Sequence, residues 1–223
     1  MDLIEAIKAR HSVRKYTDRA IDDETALKLK TFIEECNKES GLKMQLVLND
    51  KDAFKGLLAN YGKFEGVSSY IALIGKTTAD LEEKAGYYGE KCVLQAQILG
   101  LNSCWIALTF NKRKVIKKCK ILKGEKLVCI ISLGYGQTNG YPHKSKSLDE
   151  LSNLSEDCPD WFKRGVECAS LAPTALNKQR FYIMREKNKV KLINLNGQYS
   201  KIDLGIVRYH FEVGAGDNFE WDN

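Results

Sequence analysis

Apolar residues recur along this chain at two spacings, one helical and one typical of buried strands. Residues 2–9 place Leu3, Ile4 and Ile7 on one face, and the longest helical pattern, 81–99, carries small residues in its first half. An aspartate before the second helix can cap it, and Gly41 ends it. The predicted helices are 2–9, 23–40, 53–59, 81–99, 112–119, 161–170 and 203–213.

Short apolar runs bounded by glycine, asparagine or aspartate predict buried strands. Lys187-Asn188 lies between two such runs and predicts a hairpin turn. The run 127–133 ends in Gly134-Tyr135-Gly136, but no helix follows, so a dinucleotide-binding Rossmann unit is excluded. The predicted strands are 44–48, 70–74, 127–133, 181–184 and 190–193, and the apolar stretch 102–108 is left without an assignment.

Composition narrows the class of protein. With 223 residues and 43% hydrophobic content, the chain can bury a sizeable core. It shows no membrane-spanning run and no basic and apolar leader, and its seven cysteines contain no C-x-x-C pair. We therefore expect reduced, mostly buried thiols, no metal site and a cytoplasmic location.

The net charge of +6 is mild, and lysine and glutamate residues are interspersed. The densest basic run, 112–118, has helical spacing and no interleaved aromatic residues. A solvated helix face explains this run better than a nucleic-acid site does. We expect neither a nucleic-acid nor a membrane partner.

Arg10-His11-Ser12-Val13-Arg14 follows the first predicted helix and is the first candidate site. Two guanidinium groups and a hydroxyl can hold a phosphate through charge-assisted hydrogen bonds. The same residues also suit a solvated helix end, where arginine complements the helix dipole. The motif by itself leaves both interpretations open.

Ala172-Pro173-Thr174-Ala175-Leu176-Asn177-Lys178-Gln179 is the second candidate site. Its hydroxyl and two amides match a ligand with alternating donors and acceptors, such as the pyrimidine edge of a flavin. A polar loop satisfied by its own backbone is the alternative. Low apolar content over 144–157 marks a connector, so we divide the chain into halves 1–147 and 148–223.

Four segments together resemble the flavin-dependent nitroreductase family. The basic motif is similar to the family's phosphate motif, and Ala172-Pro173-Thr174-x-x-Asn177-x-Gln179 to its A-P-S-x-x-N-x-Q motif. Residues 100–106 and 133–136 resemble its G-L-x-S/T-C-W-I and L-G-Y-G/P segments. Two departures are Thr174 in place of serine and the late position of the A-P-T motif, which resembles a smaller, thermophilic-type subgroup with two nitroreductase-like halves in one chain.

The resemblance implies an α+β fold, with a central, mostly antiparallel sheet packed by helices. The two pseudo-symmetric halves would imitate a dimer and fold as one cooperative unit. FMN is the implied cofactor, and no residue is assigned a catalytic role because the chemistry occurs on the flavin. The cofactor-binding residues implied by the family motifs are Arg10, His11, Ser12, Arg14, Ala107, Leu108, Lys144, Lys146, Pro173, Thr174, Asn177 and Gln179.

The implied activity is ping-pong hydride transfer from NAD(P)H through FMN to a nitroaromatic, quinone or similar small acceptor. A flavin-binding, storage or sensing module without turnover is one alternative. A flavin-fragmenting or dehalogenating enzyme on the same scaffold is another. The late A-P-T motif and the weak internal repeat predict a monomer or weak dimer with one flavin site per chain.

Overall fold

The computed structural model describes residues 1–222, and Asn223, the last residue of the predicted second half, lies outside the described residues. Within them the chain alternates between helices and strands. The helices are α1 Leu3–Ala9, α2 Asp23–Ser40, α3 Leu57–Tyr61, α4 Leu81–Ile98, α5 Lys112–Lys118, α6 Leu148–Leu151, α7 Asp160–Ser170 and α8 Ser200–Ala215. The strands are β1 Gln45–Val47, β2 Ser69–Lys76, β3 Asn102–Ile106, β4 Glu125–Gly134, β5 Phe181–Glu186, β6 Lys189–Asn194 and β7 Glu220–Trp221.

Local capping signals set the ends of the first two helices. The Asp2 side chain accepts the Glu5 N–H, and the Glu5 side chain accepts the Asp2 N–H, which forms a capping box at the start of α1. Asp22 caps α2, and Gly41 ends it with a φ of 74°, a left-handed conformation that glycine adopts without strain. The predicted bounds of both helices are confirmed to within one residue.

The strands form two sheets. The first has the order β1-β2-β4-β3 with antiparallel neighbours throughout, and the second has the order β5-β6-β7. In the second sheet, β5 and β6 form the predicted hairpin around Lys187-Asn188, whereas β6 and β7 run parallel. The prediction of a mostly antiparallel sheet packed by helices is confirmed by the first sheet, and β5, β6 and β7 form a second sheet that the prediction did not include.

Several predicted elements need correction. The helix over 53–59 is two pieces, a 3₁₀ turn Lys51–Phe54 and α3, because Gly56 between them has a φ of 120° that no helix accommodates. The unassigned stretch 102–108 contains β3, which pairs with β4. The connector is partly ordered: α6 lies in it, and Ser152 bridges to Ile183 on β5.

The largest buried apolar cluster contains residues of both predicted halves. Leu29 and Ile131 of the first half belong to the same buried cluster as Phe162 and Phe211 of the second. Six of the seven cysteines are buried and Cys158 is half-buried, so the prediction of mostly buried thiols is confirmed. Within residues 1–222, no helix has the length and apolar character needed to cross a membrane.

Candidate functional site

The basic segment is held in an extended conformation after α1. Bridges join Ser12 to Ser103 and Tyr16 to Gly136, and the Val13 N–H donates to the Ser103 carbonyl at 3.0 Å. This pairing lays the segment along the start of β3 and the end of β4. Ser12 and Arg14 consequently point their side chains to solvent, whereas Arg10 is only 3% exposed.

Arg10 carries a buried donor that the described residues leave unused. Its Nε has no hydrogen-bond partner within residues 1–222. Its distance to Glu90 Oε1 is 3.8 Å, which allows electrostatic attraction but is too long for a hydrogen bond. Because buried N–H groups are nearly always paired, an unpaired guanidinium donor at this position fits an anionic ligand.

The charge of Arg10 acts on two neighbouring histidines, His11 and His143. Burial and the charge of Arg10 lower the pKa of His11. Burial likewise lowers the pKa of His143. A hydrogen bond to the Ser170 carbonyl acts to raise this pKa, and the charge of Arg10 acts to lower it further. The backbone of Gly140 lies against the His11 side chain, so the loop after β4 closes over the basic segment.

Ser12, Arg10 and Arg14 also lie near Cys104 on β3. Burial raises the pKa of the Cys104 thiol, and Arg14, Ser12 and Arg10 oppose that shift. The backbone carbonyl of Cys104 accepts a hydrogen bond from Ser132 at 3.2 Å. Burial therefore favours the protonated, less reactive form of this thiol beside the basic segment.

The loop 172–179 is conformationally strained. Leu176, Asn177 and Gln179 have φ values of 53°, 52° and 44°, although none of them is a glycine. A left-handed conformation costs such residues about 1 kcal/mol or more each. Strain of this kind persists only where surrounding contacts fix the loop.

Hydrogen bonds from several elements provide that constraint. The Gln179 side chain accepts the Lys146 N–H at 2.7 Å and donates to the Ser170 carbonyl at 2.9 Å. Asn177 donates to the Lys144 carbonyl at 2.9 Å, and the Lys146 ammonium donates to the Gln179 carbonyl at 3.2 Å. These bonds bring the predicted residues Lys144 and Lys146 directly onto the predicted loop.

Asp203, in the first turn of α8, supports the other end of the loop. Its carboxyl oxygens accept the Ala175 N–H at 3.0 and 3.1 Å. Burial raises the pKa of Asp203 to about 7, with the Ala175 hydrogen bond opposing the shift. The strained loop therefore rests on a carboxyl group that titrates near neutral pH.

The remaining predicted residues make fewer hydrogen bonds to the basic segment and to the loop 172–179. Pro173 and Thr174 are half-buried, and the Thr174 hydroxyl accepts the Gln179 N–H at 3.1 Å. Ala107 packs on the core after β3, and Leu108 is 57% exposed. Neither Ala107 nor Leu108 hydrogen-bonds to the basic segment or to the loop in the described part of the chain.

Two residues at this site were missed by the sequence analysis. Glu90 lies on α4 and is fully buried, and Asp203 is 7% exposed. The sequence does indicate that Glu90 is buried, because it lies at helical spacing from the small and apolar residues Gly86 and Val93 of α4. A charged residue on a buried stripe needs a partner, but the sequence does not indicate which one.

Comparison with known proteins identifies the family of this chain. Residues 2–215 match the family described as "Putative TM nitroreductase". The chain therefore belongs to this nitroreductase family. A comparison with curated proteins finds no significant match.

Solved structures share the fold. A putative nitroreductase from Thermotoga maritima is 23% identical with a TM-score of 0.71, and the match covers 96% of this chain and 83% of that one. A putative nitroreductase from Desulfovibrio desulfuricans, solved in complex with FMN, is 17% identical with a TM-score of 0.54, covering 71% and 99%. A putative NADH dehydrogenase/NAD(P)H nitroreductase from Parabacteroides distasonis is 19% identical with a TM-score of 0.54, covering 70% and 98%.

Proposed function

We propose that this protein binds FMN and is an oxidoreductase that uses NAD(P)H to reduce a small nitroaromatic, quinone or similar acceptor. The observation that carries the proposal is the unpaired, buried Nε of Arg10 within a cationic segment. Membership of the nitroreductase family supports it, as does the FMN complex of the Desulfovibrio desulfuricans relative.

The phosphate of FMN would lie at the basic segment. Arg10 would donate from the buried side, and Ser12 and Arg14 from the exposed side. His11 would support this end, and Lys144 and Lys146 would add charge from the facing loop. A terminal phosphate suits this compact cluster better than the diphosphate of FAD, because no glycine-rich dinucleotide motif follows a strand.

The flavin ring would be framed by the strained loop and by the end of β3. Pro173, Thr174 and Asn177 would face the ring, with the backbone of Ala107 and Leu108 on its other side. Gln179 would act differently, because both polar atoms of its amide are engaged by Lys146 and Ser170. We assign Gln179 the role of holding the loop in its strained conformation.

FMN, when bound, would supply the hydride-transfer chemistry between NAD(P)H and the acceptor. The protein would bind and orient it. We assign no acid or base to the reaction, and the buried Cys104 thiol has no part in it.

The two-half architecture is part of the same proposal. In the first sheet β2 and β3 are parallel, since each pairs antiparallel with β4. In the second sheet β6 and β7 are parallel neighbours. The strands of the second half, 148–223, therefore follow the same directions as those of the first half, 1–147, if β4 has no counterpart. This similarity supports the proposal that the two halves imitate a dimer and fold as one cooperative unit.

The absorbance spectrum of the purified protein tests the proposal directly. FMN should bind, the bound flavin should be bleached by NAD(P)H without oxygen, and a quinone or nitroaromatic should restore its colour. Bound FMN that NAD(P)H does not reduce would favour a storage or sensing module. Protein that cannot be reconstituted with FMN would contradict the whole proposal.

Replacement of the arginines tests the assigned phosphate contact. The double variant Arg10→Ala, Arg14→Ala should weaken FMN by about 3 kcal/mol or more, because two charge-assisted contacts are lost. Riboflavin, which has no phosphate, should be affected little. Arg113→Ala, an exposed arginine on α5, controls for net charge and should leave both affinities unchanged.

A further inference from the structure

Arg10 borders a buried polar network that connects the two halves. Glu90 on α4 accepts the Trp105 Nε1–H of β3 at 2.8 Å through one carboxyl oxygen. Its other oxygen lies 2.8 Å from Nε2 of His210 on α8. Glu90 and His210 are both 0% exposed. Because bulk water does not screen these buried groups, their charges act strongly on the nearby guanidinium of Arg10.

The hydrogen-bond partners of His210 fix where its protons lie. Its Nδ1 is 3.0 Å from the Cys168 carbonyl, which can only accept, so Nδ1 carries a hydrogen. Its Nε2 faces a carboxyl oxygen, so a second proton lies between the imidazole and Glu90. This proton bonds His210 to Glu90.

The bonds from Trp105 and His210 matter for Arg10, because they occupy both carboxyl oxygens of Glu90. Glu90 has both oxygens hydrogen-bonded to residues other than Arg10, and its distance of 3.8 Å to Arg10 Nε leaves that N–H free. Without His210, a buried carboxylate beside a buried guanidinium would form a direct ion pair with it. Such a pair would take up the donors that an anion needs.

We propose that Glu90 and His210 are positioning residues that orient the Arg10 guanidinium without engaging its donors, so that it can bind the phosphate of FMN. This assignment rests on the proposed function. It makes α8, in the second half, a contributor to the phosphate site of the first half. Neither residue contacts the ligand, and both act through Arg10.

The ratio of FMN affinity to riboflavin affinity, measured by titration of the flavin-free full chain, tests the proposal. Arg10→Ala should lower this ratio roughly 10- to 100-fold, the value of one charge-assisted contact. His210→Asn should lower it by about 10-fold or more, because asparagine can reach the Cys168 carbonyl but not Glu90. His210→Gln, whose longer amide can reach Glu90, should largely restore the ratio.

Two further variants keep the test decisive. Glu90→Gln preserves volume and hydrogen bonding but removes the charge that orients Arg10, so the ratio should fall even if His210→Asn does not fold. In an Arg10→Ala background, Glu90→Gln should cause no additional fall, because coupled residues are not additive.

A matched control separates positioning from general stability. Tyr87→Phe removes a 2.5 Å hydrogen bond to Glu212 between the same two helices that involves neither Glu90 nor His210. It should lower the melting temperature and leave the ratio unchanged.

If wild type prefers FMN and Arg10→Ala loses that preference, but Glu90→Gln and His210→Asn keep it, the positioning role is wrong. If wild type shows no preference for FMN over riboflavin, the phosphate site itself is wrong.

Discussion

Gly86 on α4 and Gly205 on α8 meet in a reciprocal contact. Gly86 lies against the backbone carbonyl of Ile202, three residues before Gly205. Gly205 lies against the backbone carbonyl of Glu83, three residues before Gly86. Helices α4 and α8, which lie at the junction of the halves, thus cross backbone to backbone, and the contact relates equivalent positions of the two helices.

Adding a methyl group at this crossing should destabilise the protein. In Gly86→Ala or Gly205→Ala the new Cβ would overlap a main-chain carbonyl, which cannot rotate away as a side chain can. Overpacking of this kind costs about 1–3 kcal/mol of unfolding free energy. Helix propensity alone predicts the opposite sign, a gain of about 1 kcal/mol, so urea denaturation decides between the two effects.

The control for this prediction lies on the same helix. Lys84 is exposed, and Lys84→Ala should change the unfolding free energy by less than about 0.5 kcal/mol beyond its surface ion pair with Asp80. An unchanged or higher stability in both glycine variants would show that the helices can separate at no cost.

The sequence predicts those parts of the fold that depend on local signals. The ends of α2 follow from Asp22 and Gly41, because a cap and a left-handed glycine act within a few residues. The separate sheet and the strand β7 do not follow, because Glu220 and Trp221 gain their strand conformation only by pairing with β6. Parallel pairing of distant segments leaves no local pattern.

The candidate site shows the same limit. The motifs predict the basic segment and the loop 172–179 as candidate sites, and the structure adds the loop's hydrogen bonds to Lys144 and Lys146. The burial of Arg10 could not be predicted, because it depends on Glu90 of a helix 80 positions away in the sequence and on how that helix packs. Burial of a charged side chain is a tertiary property.

Asp203 should make the protein less stable as pH rises. Its pKa is about 7 in the fold against an ordinary value of 3.8, so between these values the folded chain holds a proton that the unfolded chain has released. The unfolding free energy therefore falls across this window, by at most about 4 kcal/mol. Thermal unfolding measured at pH 5 and pH 8 should show the decrease.

Substitution isolates the contribution of this carboxyl group. Asp203→Asn keeps an oxygen that can accept the Ala175 N–H but cannot ionise, so it should stabilise the protein at pH 8 relative to wild type. The exposed Asp217→Asn variant should follow the wild-type pH dependence. If Asp203→Asn also retained the wild-type decrease, other groups would account for it.

Cys158 should be the first thiol to react with an alkylating agent at neutral pH. Burial acts to raise its pKa, but hydrogen bonds from Ser155 and the nearby Arg185 lower it overall, and the residue is half-buried. Burial raises the pKa of Cys104, which is only 2% exposed. Because the thiolate is the reactive form, limited iodoacetamide treatment and peptide mapping should find label at Cys158 well before Cys104.

The same chemistry bears on catalysis. Cys104→Ser should leave the rate of flavin reduction by NAD(P)H within a few-fold of wild type, since we assign this thiol no role in the reaction. Slow reduction with FMN still fully bound would contradict that assignment.

Treatment of the denatured chain with iodoacetamide, in which every cysteine should be labelled, provides the control for the peptide mapping.

A single chain should bind a single FMN without the help of a second copy. The basic motif is found only in the first half and the A-P-T motif only in the second. The loop after β4 joins them within one chain, because Gly140 lies against His11 and Lys146 hydrogen-bonds to Gln179. We therefore expect that no dimer is needed to complete the site. Light scattering combined with the flavin-to-protein absorbance ratio should give one flavin per chain, retained on dilution to the monomer. Two flavins per chain, or flavin released whenever an oligomer dissociates, would instead mean that the site is shared between chains.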